Sequence, residues 1–226
     1  MGHGRYITIP DTIEGKIVSS IGDFAFDGEN GLRQVNLPAG LTNIGAYAFR
    51  DCSNLLSVSV PSGVTEIGEY AFYNTVRLSS AAFGEGSRLQ TVGEFAFAYS
   101  GLSRFELPAE VTDIDGSAFY GATSLTDIGV REGNTAFASV GGILYNYTQS
   151  TLIAYPAGKR EAYTAPATLW AIGNYAFAYT RLTEAGLGSV QTIGGRAFAY
   201  SALERMIIPD MVTNMGAGAF EMNFNL

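Results

Sequence analysis

The dipeptide Ala-Phe recurs along this chain at a near-constant interval, and the interval decides what the chain can fold into. It stands at Ala25-Phe26, Ala48-Phe49, Ala71-Phe72, Ala96-Phe97, Ala118-Phe119, Ala176-Phe177, Ala197-Phe198 and Ala219-Phe220. The steps between successive alanines are 23, 23, 25, 22, 58, 21 and 22 residues. An aliphatic residue lies four positions before each alanine: Ile21, Ile44, Ile67, Val92, Ile114, Ile172, Ile193 and Met215. Glycine follows it in every copy except one, where Asp115 takes its place. A leucine follows each phenylalanine by five or six residues, from Leu32 to Leu226. A unit of 21–25 residues cannot bury its own apolar face, but it can bury that face on its neighbours. The chain therefore reads as about eight stacked coils.

Within a coil each signal has a local meaning. The alternation in Val35-Asn36-Leu37 and Val58-Ser59-Val60 fits a short strand with one face buried. The prolines that follow, Pro38, Pro61, Pro108 and Pro209, stop the strand because proline has no N–H for a ladder. Glycine after the isoleucine predicts a bend at positive φ, and Asp115 in that column agrees. The following six residues, such as Glu69 to Asn74, suit one helical or 3-10 turn. Coils spaced like neighbouring strands, about 4.8 Å apart, would stack eight high to roughly 40 Å. The expected fold class is an α/β solenoid: a short-strand parallel sheet on one side and helical turns on the other.

The step of 58 residues exceeds one unit by about 35, and the excess enters at about 131–169. There, Gly142 to Asn146 and Thr151 to Tyr155 read as two strands, with Tyr147-Thr148-Gln149-Ser150 as a hairpin loop. So few extra residues make a poor independent core, which points to a hairpin docked into one solenoid domain spanning 1–226. Ala81, Ala185 and Gly186 weaken two strands, and Arg131 and Gly188 stand where proline ends other coils. The coil through Gly84-Glu85-Gly86-Ser87 is two residues longer than the two before it. No polar capping unit follows Leu226, so the end is expected to meet further chain or a partner.

The stretch from Val58 through Pro61, Ile67-Gly68 and Ala71-Phe72 resembles the BspA-type bacterial leucine-rich repeat. The resemblance extends over residues 7–226, beginning at Ile7-Thr8-Ile9-Pro10, Glu14 to Val18 and Ile21-Gly22. It implies a right-handed leucine-rich-repeat stack. It also implies a bacterial surface or secreted protein, non-enzymatic, that binds host matrix or plasma proteins. A tyrosine-rich hairpin followed by a proline-glycine-lysine stretch, here Pro156 to Lys159, is similar to an insertion common in that family.

Composition narrows the chemistry. The formal charge is −8, with Lys16 and Lys159 the only lysines, so neither nucleic acid nor an anionic membrane surface is an expected partner. No apolar run approaches the roughly 20 residues of a spanning helix. One cysteine and one histidine leave no disulfide framework, no cysteine zinc site and little histidine catalysis. Cys52 shares a column with Thr75, Ser100, Thr180 and Ser201, which suits a packed structural thiol better than a nucleophile. His3 sits near the terminus, the acidic residues form no calcium loop, and Gly84-Glu85-Gly86 and Gly186-Leu187-Gly188 are too weak for a phosphate loop. Asn146-Tyr147-Thr148 is a glycosylation sequon, read as chance in a bacterial protein. No cofactor is expected.

Two kinds of surface remain. The outward strand positions form one column of Asn36, Ser59, Ala82, Glu106, Gly129, Gly186 and Ile207. Beside it runs Gln34, Ser57, Ser80, Arg104, Asp127, Glu184 and Arg205. By analogy with leucine-rich repeats this face is concave and takes a protein partner; the same pattern also suits a merely solvated sheet. Tyr99, Tyr179 and Tyr200 form an aromatic column that could hold protein or glycan. All three fall in coils one residue short between Phe and Leu, so they could instead shield those coils. A structural spacer within a larger surface protein is the competing reading of the whole chain.

Overall fold

The computed structural model describes residues 5–226, so Met1 to Gly4, with His3, lie outside the described residues. The expected strands stack in parallel. Arg5–Thr8, Leu32–Asn36, Ser57–Val60 and Ser80–Phe83 form one sheet in that order. Arg104–Leu107 pairs with Asp127–Val130, and Tyr163–Thr164 with Ala185–Gly186, as two further parallel pairs. The inward residues Leu32, Val35, Leu55, Val58, Leu102, Phe105, Leu125 and Ile128 are all buried.

A second parallel ladder runs through the isoleucine column. Ile21, Ile44, Ile67, Val92 and Ile114 lie in register, each on a two-residue strand. Leu152, Ile172, Ile193 and Met215 continue the column. The stack therefore has nine levels on this side rather than eight, because the insertion supplies Leu152.

The glycine after the isoleucine has a different cause from the one expected. Gly45, Gly68 and Gly93 do not take positive φ, and neither does Asp115. A Cβ on Gly68 would lie 2.6 Å from Ala46 N and 2.8 Å from Gly45 C, and one on Gly93 would lie 2.7 Å from Glu69 N. The backbones of adjacent coils meet there, and only a hydrogen fits between them. At Asp115 the carboxylate instead accepts from the Ser117 N–H at 2.8 Å.

The turn side contains no helix among the described residues. Positive φ falls one residue before the repeat alanine and again three residues after it: Tyr47 at 58° and Asp51 at 58°, Tyr70 at 54° and Asn74 at 55°. The chain makes successive tight turns, with Ala48 N–H to Gly45 O, Arg50 N–H to Tyr47 O and Cys52 N–H to Phe49 O. The intervening donors point to the next coil: Tyr47 N–H to Glu69 O at 2.9 Å, Phe49 N–H to Ala71 O at 2.7 Å and Asp51 N–H to Tyr73 O at 2.9 Å. An α-helix would spend every N–H within its own turn. Here alternate donors are kept for a neighbour, so the turns too are joined by a backbone ladder.

The phenylalanines fill the interior as stacked rings. Phe26, Phe49, Phe72 and Phe97 follow one another at 5.1, 5.2 and 5.2 Å, their rings nearly parallel. Tyr155, Phe177, Phe198 and Phe220 repeat this at 5.2, 4.8 and 5.2 Å. The insertion lies between these two stacks. It has three strands where two were expected: Phe137–Val140, Ile143–Asn146 and Thr151–Ala154 form an antiparallel meander. The buried Asn134 starts it, donating to Pro108 O and Val111 O and accepting from the Ala136 and Phe137 N–H groups. Leu144 packs with the N-terminal core and Tyr145 with the C-terminal one, as adjacent strand residues on opposite faces can.

Candidate functional site

The sheet register brings the outward columns together largely as expected. Gln34, Ser57 and Ser80 lie side by side, and Tyr6, which the sequence reading missed, extends their row. Arg104 lies opposite Asp127, and Glu106 opposite Gly129. Asn36 pairs with Thr8 and Ser59 with Ala82. The amides of Gln34 and Asn36 are linked at 3.2 Å, and Asn36 donates to Thr8 at 3.0 Å. This half of the face is polar and uncharged.

The face divides between Ser80–Phe83 and Arg104–Leu107, which belong to separate sheets. The longer coil through Gly84 to Ser87 enters here, and Pro108 has no N–H to offer the neighbouring strand end. Arg131 reaches across and takes the freed carbonyls, donating to Phe83 O at 2.6 Å and Gly84 O at 3.0 Å, and it touches Glu106 at 3.3 Å. The departure at Arg131 thus replaces a strand stop with a side-chain tie. At the division lies a depression of ≈ 430 Å³ with Ala81, Ala82 and Gly129 in its wall and Arg104, Glu106, Asp127 and Arg131 around it. Small residues leave the space, and charges of both signs ring it.

A second depression, of ≈ 490 Å³, lies around Gly186 and Gly188. Glu184 and Arg205, in contact at 2.9 Å, stand on one side and the exposed Ile207 on another. Arg205 and Ile207 do not lie on a strand, so the column loses its regular backbone in this last row. Thr164, opposite Gly186, adds a residue absent from the expected column.

The tyrosine column is half-buried and engaged with itself. Tyr99 and Tyr179 share a hydrogen bond between their hydroxyls at 2.9 Å although 80 residues separate them. Tyr120 packs edge-on against Tyr99, Tyr175 and Tyr179, and Tyr179 stacks on Tyr200 at 4.9 Å. The 115–121 turn meets the turn after Ile172 here, with Gly116 set against Asn174 O. Burial, with the hydrogen bond to Tyr179, pushes the Tyr99 hydroxyl well above its ordinary pKa. The stack also runs on beyond the expected column, through Phe24, Tyr47, Tyr70 and Phe95 at 4.7, 4.9 and 5.0 Å.

Cys52 is fully buried, and its thiol donates to Phe26 O at 3.1 Å. Burial pushes it up to about 12, which removes the thiolate that a nucleophile needs. Asn146 of the sequon has its amide tied to Ser150 and Thr151 in the hairpin loop. Among the described residues, no three His, Cys, Asp or Glu side chains gather to hold a metal, and no helix is long and apolar enough to cross a membrane.

The fold is shared with solved bacterial proteins. A leucine-rich repeat protein from Eubacterium ventriosum is 26% identical with a TM-score of 0.72; the match covers 89% of this chain and 62% of that one. The pneumococcal vaccine antigen PcpA is 25% identical with a TM-score of 0.73, over 96% of this chain and 69% of the solved PcpA chain. A leucine rich cell surface protein from Faecalibacterium prausnitzii, 23% identical with a TM-score of 0.62 over 97% of this chain and 67% of its own, shares the fold. No curated protein matches the chain. The sequence description of the BspA type leucine rich repeat region matches residues 6–141 and 155–226, in six copies. With the repeat, the stacked ladders and this match in agreement, the chain belongs to the BspA-type leucine-rich repeat family.

Proposed function

We propose that this chain is a non-catalytic protein-binding module of a bacterial surface or secreted protein, and that its partner is a host matrix or plasma protein. The observation that carries the reading is the division in the strand face. It combines open space over Ala82 and Gly129 with charges of both signs, Arg104 and Glu106 exposed and Asp127 partly so. A merely solvated sheet gains nothing from such an arrangement. A protein partner can place a side chain in the space and pair polar groups around it. The membership of the family and the likeness to PcpA and to a cell surface protein support a surface location. We further propose that residues 1–226 act as one solenoid domain, with the meander as a substitute coil.

The test is label-free binding of the purified chain to immobilised fibronectin, fibrinogen and laminin. We expect saturable binding that falls at least about tenfold in Arg104→Ala and Glu106→Ala, the effect of losing about 1.4 kcal/mol. Binding unchanged in both variants would remove the strand face as the site. Silence with all three proteins would favour a spacer role.

A further inference from the structure

Trp170, the only tryptophan of the chain, is 49% exposed in a column that elsewhere carries hydroxyl and amide side chains. It lies two residues before the ladder isoleucine, where other coils have Ser19, Thr42, Thr65, Gln90, Thr112, Gln191 and Thr213. The fold gives the small residues a reason: Thr42 and Thr65 donate their hydroxyls to the carbonyl of the preceding coil. It gives Trp170 none, since its backbone already bonds to Ser150 O and receives from Gln191 N–H. The register places Ser150 on one side of Trp170 and Gln191 on the other.

The hairpin loop 147–150 borders the same place. Tyr147 is 60% exposed there, and the Thr168 hydroxyl donates to Gln149 O at 3.3 Å. The stretches that meet, Tyr147 to Ser150, Thr168 to Ala171 and Val190 to Ile193, contain no charged residue, in a chain of net charge −8. Apart from Tyr147 in the loop, they add no exposed large apolar group beside Trp170. A protein hot spot has an apolar surround that excludes water. An aromatic face set among neutral amides and hydroxyls suits a ligand with alternating C–H faces and hydroxyl edges. Sugar C–H groups carry partial positive charge and are attracted to the negative face of an indole ring.

From this we infer a second binding site, centred on Trp170 with Gln191, Gln149 and Ser150 around it, for a neutral glycan. It is separate from the strand-face depression and from the Tyr99, Tyr179 and Tyr200 cluster.

A sole tryptophan is its own reporter. The purified chain is titrated with cellohexaose, maltohexaose and chitohexaose, and with a heparin-derived hexasaccharide as a charged control, following tryptophan fluorescence. We expect a saturable change with at least one neutral oligosaccharide and none with the heparin fragment. Gln191→Ala, which keeps the reporter, should weaken it several-fold. By calorimetry, Trp170→Thr, which restores the residue type of the column, should abolish binding while Arg104→Ala leaves it intact. No saturable change with any neutral probe would overturn the site. So would calorimetric binding that survives Trp170→Thr. Preference for the heparin fragment would overturn the ligand class, as would loss in Trp170→Thr of binding to immobilised protein but not to sugar.

Discussion

Gly22 and Gly68 occupy the same place in the repeat, yet alanine should act on them in opposite directions. Neither glycine is at positive φ, so backbone preference is common to both. A Cβ on Gly22 meets nothing within 4 Å, because no described coil lies beneath it. On Gly68 it would sit 2.6 Å from Ala46 N and 2.8 Å from Gly45 C, against an ordinary contact of 3.4–4 Å. The obstructing atoms are backbone, held by the Gly45 N–H to Ile21 O and Gly68 N–H to Ile44 O bonds, so no side chain can swing aside. The coils must part by most of an ångström, which costs about 3 kcal/mol or more at the upper end of overpacking effects. Gly22→Ala should gain about 0.4–1 kcal/mol by restricting the unfolded chain. In thermal unfolding, at about 2–4 °C per kcal/mol, Gly68→Ala should lose roughly 6–12 °C while Gly22→Ala holds or gains slightly. Equal losses in the two variants, or a Gly68→Ala midpoint within about 1 °C of wild type, would refute the close-approach reasoning.

Other consequences are testable in the same way. Tyr70 sits at φ 54° with its ring stacked between Tyr47 and Phe95. Alanine keeps the backbone strain of about 1–2 kcal/mol while glycine relieves it, so Tyr70→Gly should be more stable than Tyr70→Ala by about 0.5–1 kcal/mol in urea unfolding. The reverse order would contradict the turn geometry. Arg131→Ala should cost about 1–3 kcal/mol by leaving Phe83 O and Gly84 O without a donor, whereas Arg104→Ala should cost under about 0.5 kcal/mol. Cys52 should resist a thiol reagent at neutral pH until the chain is unfolded, and rapid native labelling would contradict its burial. Burial also raises the hydroxyl pKa of Tyr155, to about 12, and that of Tyr99 and Tyr163 further. A raised folded value means that stability is full below the unfolded pKa and is lost as pH rises through the folded one. Unfolding midpoints should therefore hold to about pH 8.5, where the unfolded thiol begins to titrate, and fall steeply above about pH 10 as unfolded tyrosines ionise. A midpoint flat to pH 12 would contradict the burial of these groups.

The stacking direction, the core columns and the strand face were legible in the sequence, because burial by neighbours demands the same residue type at the same place in every coil. Ile44, Phe49, Leu55 and Val58 all read correctly for that reason. The turn side was not legible. Propensity places Glu69-Tyr70-Ala71-Phe72 in a helical turn, since a bulky aromatic residue rarely takes positive φ. Here the donors freed for the neighbouring coil and the stacking of Tyr47, Tyr70 and Phe95 outweigh that cost. The glycine column misled by the same route: a conformational role and a close approach leave the same residue in sequence. The third insertion strand, Phe137–Val140, could have been found from Asn134 followed by Ala136-Phe137, a further copy of the dipeptide outside the repeat spacing. The division of the strand face was visible only as two extra residues at Gly84 to Ser87; that Arg131 bridges it depends on side-chain reach, which no spacing encodes.

The central claim, that the divided strand face receives a protein partner, is tested most directly by filling its space. Ala82 points outward, so Ala82→Trp occupies the depression without removing a charge or a core residue. Measured by interferometry on the same immobilised fibronectin, fibrinogen and laminin, the variant should keep the wild-type unfolding midpoint and bind at least about tenfold more weakly. Wild-type affinity in Ala82→Trp would place the partner elsewhere on the solenoid and contradict the account.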